Sequence, residues 1–285
     1  MPPEKEQKKM FDLFRTMFSY DFMVQAIVVG LLVTLCASLL GVSMVLKRYS
    51  MIGDGLSHVG FASLALASAL NVAPLKLAVP ICIVAAFFLL RLSSNSKIKG
   101  DQALAILCSG SLAVGVMILS LSSGMNTDIN NYMFGSILSI SEGDALLTKI
   151  IALIVIVLFI VFYNRIFAVT FDESFAKATG TRAGLYNMIL SILTAVTVVI
   201  GMRMMGALLI SSLIIFPSLT SMRVCKTYRG VIITSVIVAV VSFLIGITIS
   251  FACSTPTGAS IVCVNLVLFG LLSLVGLAKQ RFHAG

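Results

Sequence analysis

Two ionisable side chains stand one helical turn apart in an otherwise apolar stretch. In Ser50-Met51-Ile52-Gly53-Asp54-Gly55-Leu56-Ser57-His58-Val59-Gly60, Asp54 and His58 are four residues apart, so on a helix they share a face. His58 is one of only two histidines in the chain, the other being His283 in the polar tail. A carboxylate oxygen and an imidazole nitrogen together suit a borderline divalent cation such as zinc or manganese. Two ligands are too few to hold an ion tightly. A homodimer would supply two such pairs, and an incomplete site also suits passage rather than storage. A plainer use of the same residues is open. Asp54 follows Gly53 at the start of an apolar segment, where a carboxylate caps a helix, and His58 can hydrogen-bond a neighbouring helix. Spacing alone leaves capping and packing the more economical use.

What surrounds the pair decides how costly it is. Of the 285 residues, 59% are hydrophobic and 11% charged, against about 25% charged in a soluble domain. There are too few polar side chains to cover a water-facing surface. The apolar residues fall into nine segments, at 22–46, 56–71, 74–92, 102–123, 146–167, 184–201, 204–222, 230–252 and 259–278. Most are long enough to cross a hydrocarbon core of ~30 Å. The expected fold class is therefore all-α: a polytopic integral membrane protein with eight or nine crossings, short outer and inner helices, and a single transmembrane domain over 21–285. In such a setting an ionisable side chain within a span costs at least a few kcal/mol, which makes Asp54 and His58 functional candidates.

The formal charge of +9 is not that of a nucleic-acid binder, which needs a continuous basic face. The basic residues instead sit in short clusters between apolar runs: Lys47/Arg48, Arg91/Lys97/Lys99, Arg165/Lys177/Arg182, Arg223/Lys226/Arg229 and Lys279/Arg281. One orientation puts all five on the cytoplasmic face. Residues 123–144, with Asp128, Glu142 and Asp144 but no Lys or Arg, and the turn Ser254–Gly258 then lie outside. Arg203 falls in a short outer turn, where it can snorkel.

Three polar or mixed stretches are more than connectors. Residues 1–20 alternate basic and apolar side chains, as does an amphipathic helix lying on a bilayer. Residues 124–145 predict a short outer helix. Residues 170–184 predict a short inner-face helix with Asp172 and Glu173 at its N-terminus, favourable to the helix dipole, and Gly180 ending it. Such a helix either seals the loop to the lipid or docks a cytoplasmic partner. The six scattered cysteines read as buried small hydrophobes, and Met202, Met204 and Met205 as gap-fillers around Arg203. There is no GxxxxGK[ST], HExxH or GxSxG, so no enzyme is expected and any active transport draws its energy from another subunit or from an ion gradient.

Four stretches, in order, carry a family resemblance. Residues 45–58, Val-Leu-Lys-Arg-Tyr-Ser-Met-Ile-Gly-Asp-Gly-Leu-Ser-His, resemble the signature of the zinc/manganese permeases of ABC importers, the ABC-3 family. Tyr132–Leu138 resembles that family's outer-loop Leu-Phe-Gly motif, Phe171–Gly180 its coupling-helix motif, and Gly206–Pro217 its late-span motif. The resemblance implies a homodimeric permease in a bacterial cell membrane, working with cytoplasmic ATP-binding subunits and an extracytoplasmic metal-binding protein. It implies that Asp54 and His58 contact the metal in transit, and that Asp172, Glu173, Phe175, Ala176 and Gly180 belong to the helix that meets the ATPase. No cofactor is bound permanently; zinc, preferred over manganese, is the cargo, and ATP is used by the partner. An ion-gradient-driven transporter with Asp54 and His58 as a proton relay, or an ABC permease for a metal chelate, are the alternatives.

Overall fold

A computed structural model describes residues 19–49, 51–95, 100–122 and 142–283. The N-terminal amphipathic stretch up to residue 18, Lys97 and Lys99, and the outer segment 123–141 with the Tyr132–Leu138 motif lie outside the described residues. The regular elements are helices throughout: α1 (Asp21–Leu46), α2 (Ile52–Ala69), α3 (Pro74–Asn95), α4 (Gly100–Leu121), α5 (Glu142–Val161), α6 (Tyr163–Phe171), α7 (Glu173–Ala178), α8 (Ala183–Met205), α9 (Ala207–Val224), α10 (Tyr228–Cys253) and α11 (Thr257–His283).

The nine apolar segments are all covered by these helices, one helix each except for 146–167, which breaks at Phe162 into α5 and α6. Seven of them, α1, α4, α5 and α8 to α11, are long and apolar enough to cross a membrane on length and composition alone. α2 is less apolar because it carries Asp54, His58 and several serines and glycines, and the described side chains of α3 give an apolar helix over Pro74–Leu89. The chain is a multi-pass membrane protein.

α1, α8 and α9 form the centre. α1 packs on α5, α8, α9 and α10, and α8 packs on α1, α2, α3 and α9. The periphery is α4, α5 and α11, which expose many large apolar side chains, among them Met117, Ile160 and Leu274. That inversion is expected in lipid, where outward-facing apolar groups cost nothing and helices are held by packing and buried hydrogen bonds. Two such bonds tie the bundle together. Ser43 and Tyr228 join α1 to α10 at 2.9 Å, and Ser242 donates to Asn265 Oδ1 across α10 and α11 at 2.9 Å.

The charge clusters separate to the two ends of the bundle. Lys47 and Arg48 follow α1, and Ser43 at the same end reaches Tyr228, beside Arg229 and the α9–α10 connection with Arg223 and Lys226. Lys47 lies 3.7 Å from Glu173, which brings Lys177 and Arg182 to that end as well. At the other end Arg203 closes the last turn of α8. Its guanidinium pairs with Asp144 at 3.5 Å, tying the end of α8 to the start of α5.

Candidate functional site

α2 begins at Ile52, with Met51 at the N-cap position and no side-chain capping bond. Asp54 is therefore the third residue of the helix, not its cap, and the plainer use of its carboxylate is removed. The helix places the Asp54 carboxylate and the His58 imidazole on one face, Oδ2 to Nε2 3.9 Å. That is too long for a hydrogen bond. It is close to the roughly 3.3–3.6 Å that two ligands of one tetrahedral zinc keep, given zinc–ligand bonds of about 2.0–2.3 Å. Both side chains are partly open, Asp54 41% and His58 20% exposed, so an ion can reach them. Ser211 of α9 donates to Asp54 Oδ1 at 3.4 Å and orients the carboxylate.

Neighbouring helices fix the depth of the pair. Gly41 of α1 and Gly53 of α2 both abut Ile214 of α9. Gly41 is five residues before the end of α1, about 8 Å at 1.5 Å per residue. Asp54 is thus set inside the bundle rather than at its basic rim, and His58 lies a turn further along.

A third donor comes from α4. The Cys108 sulfur, the Asp54 carboxylate and the His58 imidazole offer ligand atoms that all lie within 4.8 Å of one another. Two glycines bring α4 this close. A Cβ at Gly55 would stand 2.9 Å from Leu104 Cδ2, and one at Gly115 would stand 2.6 Å from the Phe61 ring. The expectation that all six cysteines are buried hydrophobes is corrected here. Cys36 and Cys82 are buried, Cys108 and Cys225 are half-buried, and Cys253 and Cys263 are exposed. The last two look outward from α10 and α11, where a thiol serves as a small apolar group. Nothing in the sequence signals Cys108, because fifty residues separate it from His58 and only helix pairing joins them. The methionine reading holds: Met202, Met204 and Met205 are buried in the core.

The inner-face helix forms as its residues predict. Asp172 is the N-cap of α7, and its Oδ1 accepts from the Phe175 amide at 2.9 Å. At the other end Gly180 takes φ +80, with Gly180 N donating to Lys177 O and Thr181 N to Ala176 O. This is the Schellman arrangement that glycine allows. Ala176 is fully buried against Val169 and Ala183, while Phe175 projects with 64% exposure. The helix is thus seated by a small residue and displays a large one.

An electrostatic network anchors α7 to the helices that position the pair. Glu173 pairs with Lys177 at 2.8 Å and with Lys47 at 3.7 Å, and Glu173 Oε2 accepts from Asn187 Nδ2 at 3.0 Å. Lys47 donates to Asn187 Oδ1 at 2.6 Å. The bond from Lys177, helped by Asn187 and Lys47, holds the Glu173 carboxyl below the usual glutamate value despite partial burial. Burial pushes the Lys47 ammonium below the usual lysine value, and Glu173 opposes that shift.

Comparison with known proteins shows what the whole chain is similar to. The chain is 30% identical over 252 residues to the high-affinity zinc uptake system membrane protein ZnuB of Haemophilus influenzae, covering 88% of this chain and 97% of that one. It is 25% identical over 271 residues to the manganese import system permease protein ScaB of Streptococcus gordonii, covering 95% and 97%. Among solved structures, PsaBC from Streptococcus pneumoniae in complex with Fab contains a chain that superposes with a TM-score of 0.82 at 25% identity, covering 92% of this chain and 94% of that one. Residues 19–276 match the ABC 3 transport family. With that match running over most of its length, the chain belongs to the ABC 3 transport family and is a transport component rather than an enzyme.

Proposed function

We propose that this chain is the membrane-spanning permease of an ATP-driven importer of a divalent transition metal, with zinc preferred over manganese. The observation that carries the reading is the Asp54–His58 pair, side by side at 3.9 Å, partly open and set inside the bundle. Relatives named for zinc uptake and for manganese import support the substrate class. An extracytoplasmic binding protein delivers the ion at the end that carries Asp144 and Arg203. Asp54 and His58 take it transiently, and two copies of the chain face one another across the path. A site with few ligands suits this role, because an ion held too tightly cannot leave.

Energy comes from a cytoplasmic ATP-binding subunit that docks on α7. Asp172 and Gly180 fix the ends of that helix, Ala176 seats it, Phe175 is the side chain offered to a groove in the partner, and Glu173 ties it to α1 and α8. Movement of α7 on ATP binding and hydrolysis is passed to Lys47, and from there through four residues to the start of α2.

The test is total zinc and manganese in metal-starved cells lacking the chain, complemented with wild type or His58→Ala. Restoration of zinc by wild type and not by the variant is the expected result. If neither metal depends on the chain, the substrate assignment fails.

A further inference from the structure

The geometry points to Cys108 as a third, sulfur ligand that makes the Asp54–His58 site discriminate thiophilic divalent ions from manganese. This inference rests on the reading of Asp54 and His58 as a metal site and extends it to what that site selects.

Three observations carry it. The sulfur belongs to a different helix from the carboxylate and imidazole, yet all three donor atoms lie within 4.8 Å of one another. The approach is built in, since Gly55 and Gly115 lie where side chains would hold α4 away from α2. A Cβ added at Gly55 would stand 3.6 Å from Cys108 Sγ, so the thiol lies directly against the turn that bears Asp54 and His58. Cys108 is also half-buried and in no disulfide, and it comes from a different helix than Ser211, which bonds to Asp54.

The chemistry follows from the donor set. One oxygen, one nitrogen and one sulfur from protein, with a fourth position left to water or to a delivering group, is an open tetrahedral site of the kind zinc accepts. Thiolate is a soft ligand that favours zinc and its thiophilic relatives, whereas manganese is best served by oxygen. On binding, the thiol proton is displaced to water and the sulfur enters as thiolate, so affinity for these ions rises with pH. Ligands on two helices also give a route to release. Separating α2 from α4 removes the sulfur and leaves the weaker Asp54–His58 pair, without unfolding either helix.

Two measurements on the full chain test this. In the first, Co2+ is added to the purified protein, with sulfur-to-cobalt charge-transfer absorption as the readout. Wild type and the double variant Cys253→Ser/Cys263→Ser are expected to show the band, and Cys108→Ser, which changes one atom, to lose it. In the second, the assembled transporter takes up zinc in competition with manganese. Cys108→Ser is expected to keep transport but lose about tenfold in zinc-over-manganese preference, and His58→Ala to lose uptake of both. A charge-transfer band undiminished in Cys108→Ser, or an unchanged zinc-to-manganese ratio, overturns the role of Cys108 while leaving the importer intact. No uptake of either metal by wild type overturns the importer reading, and this inference with it.

Discussion

Lys47, the first residue beyond α1, holds its ammonium 3.7 Å from the carboxylate of Glu173 in the short helix α7. The lysine side chain is only 8% exposed, and Asn187 of α8 bonds to both partners. Three elements therefore meet at one charged knot: the surface helix, the central helix α8 and the end of α1. Only residues 48–51 separate that knot from α2 and the Asp54–His58 pair. Arg48 in this connection has φ 61, a left-handed conformation in which a non-glycine side chain is strained. The connection is only four residues long, so a displacement of α7 has little slack to absorb it.

Glu173→Gln keeps the shape of the knot and removes its negative charge. Uptake by the assembled transporter is expected to fall roughly five- to tenfold, within the ordinary range of coupling energies. Binding of metal to the chain alone should be unchanged. The check is zinc uptake beside the ATPase rate: coupling through this knot predicts that ATP hydrolysis continues with less transport per turnover.

The pH dependence of the same knot has a definite sign. The folded-state pKa of Glu173 is lowered, chiefly by Lys177, so its contribution is present at and above the ordinary glutamate value of about 4.3 and is lost as pH falls through the folded value. Amide exchange in residues 173–179 is expected to be flat through neutral pH and to rise only below that ordinary range. Glu173→Gln should remove the acid limb. A transition near neutrality would contradict the assignment.

Phe175→Ala should separate docking from folding. The ring is largely exposed, so its loss leaves the bundle and membrane insertion intact. If it fills a groove in the ATP-binding subunit, truncation costs about 2 kcal/mol or more, some thirtyfold in affinity. Co-purification of the two subunits, with the yield of the chain alone as reference, decides the point.

The ends of α7 are each set by one residue. Asp172→Ala removes the bond to the Phe175 amide and should cost the helix about 1 kcal/mol. Gly180→Val places a β-branched residue at φ +80 and should cost more than Gly180→Asn, which tolerates that region better. Amide exchange at Ala176 and Lys177 reads both effects.

Much of this was legible in the residues, for reasons that differ from place to place. Apolar length marks a span whatever its neighbours, and all nine apolar segments are helical, though 146–167 breaks at Phe162, which apolar length does not foretell. α7 was readable to the residue because capping chemistry is local: Asp172 and Gly180 act within four positions of themselves. Asp54 was readable as a candidate, but that it is not the N-cap was hidden, since that turned on α2 starting at Ile52, four residues before the apolar run. Cys108, Ser211 and Asn187 were not readable. Each acts across a helix interface, and periodicity says which face is apolar but not which neighbour it meets. The partner of Arg203 was hidden for the same reason, Asp144 lying on another helix.

The central claim is that Asp54 and His58 form the site through which a divalent metal passes under the power of ATP. The most direct measurement is zinc accumulation in proteoliposomes holding the assembled transporter and its binding protein, with and without ATP inside the ATPase-facing compartment. ATP-dependent accumulation by wild type and a loss of about tenfold or more in His58→Ala and Asp54→Asn are the expected results. Accumulation that persists without ATP, or that is equal in wild type and both variants, contradicts the claim.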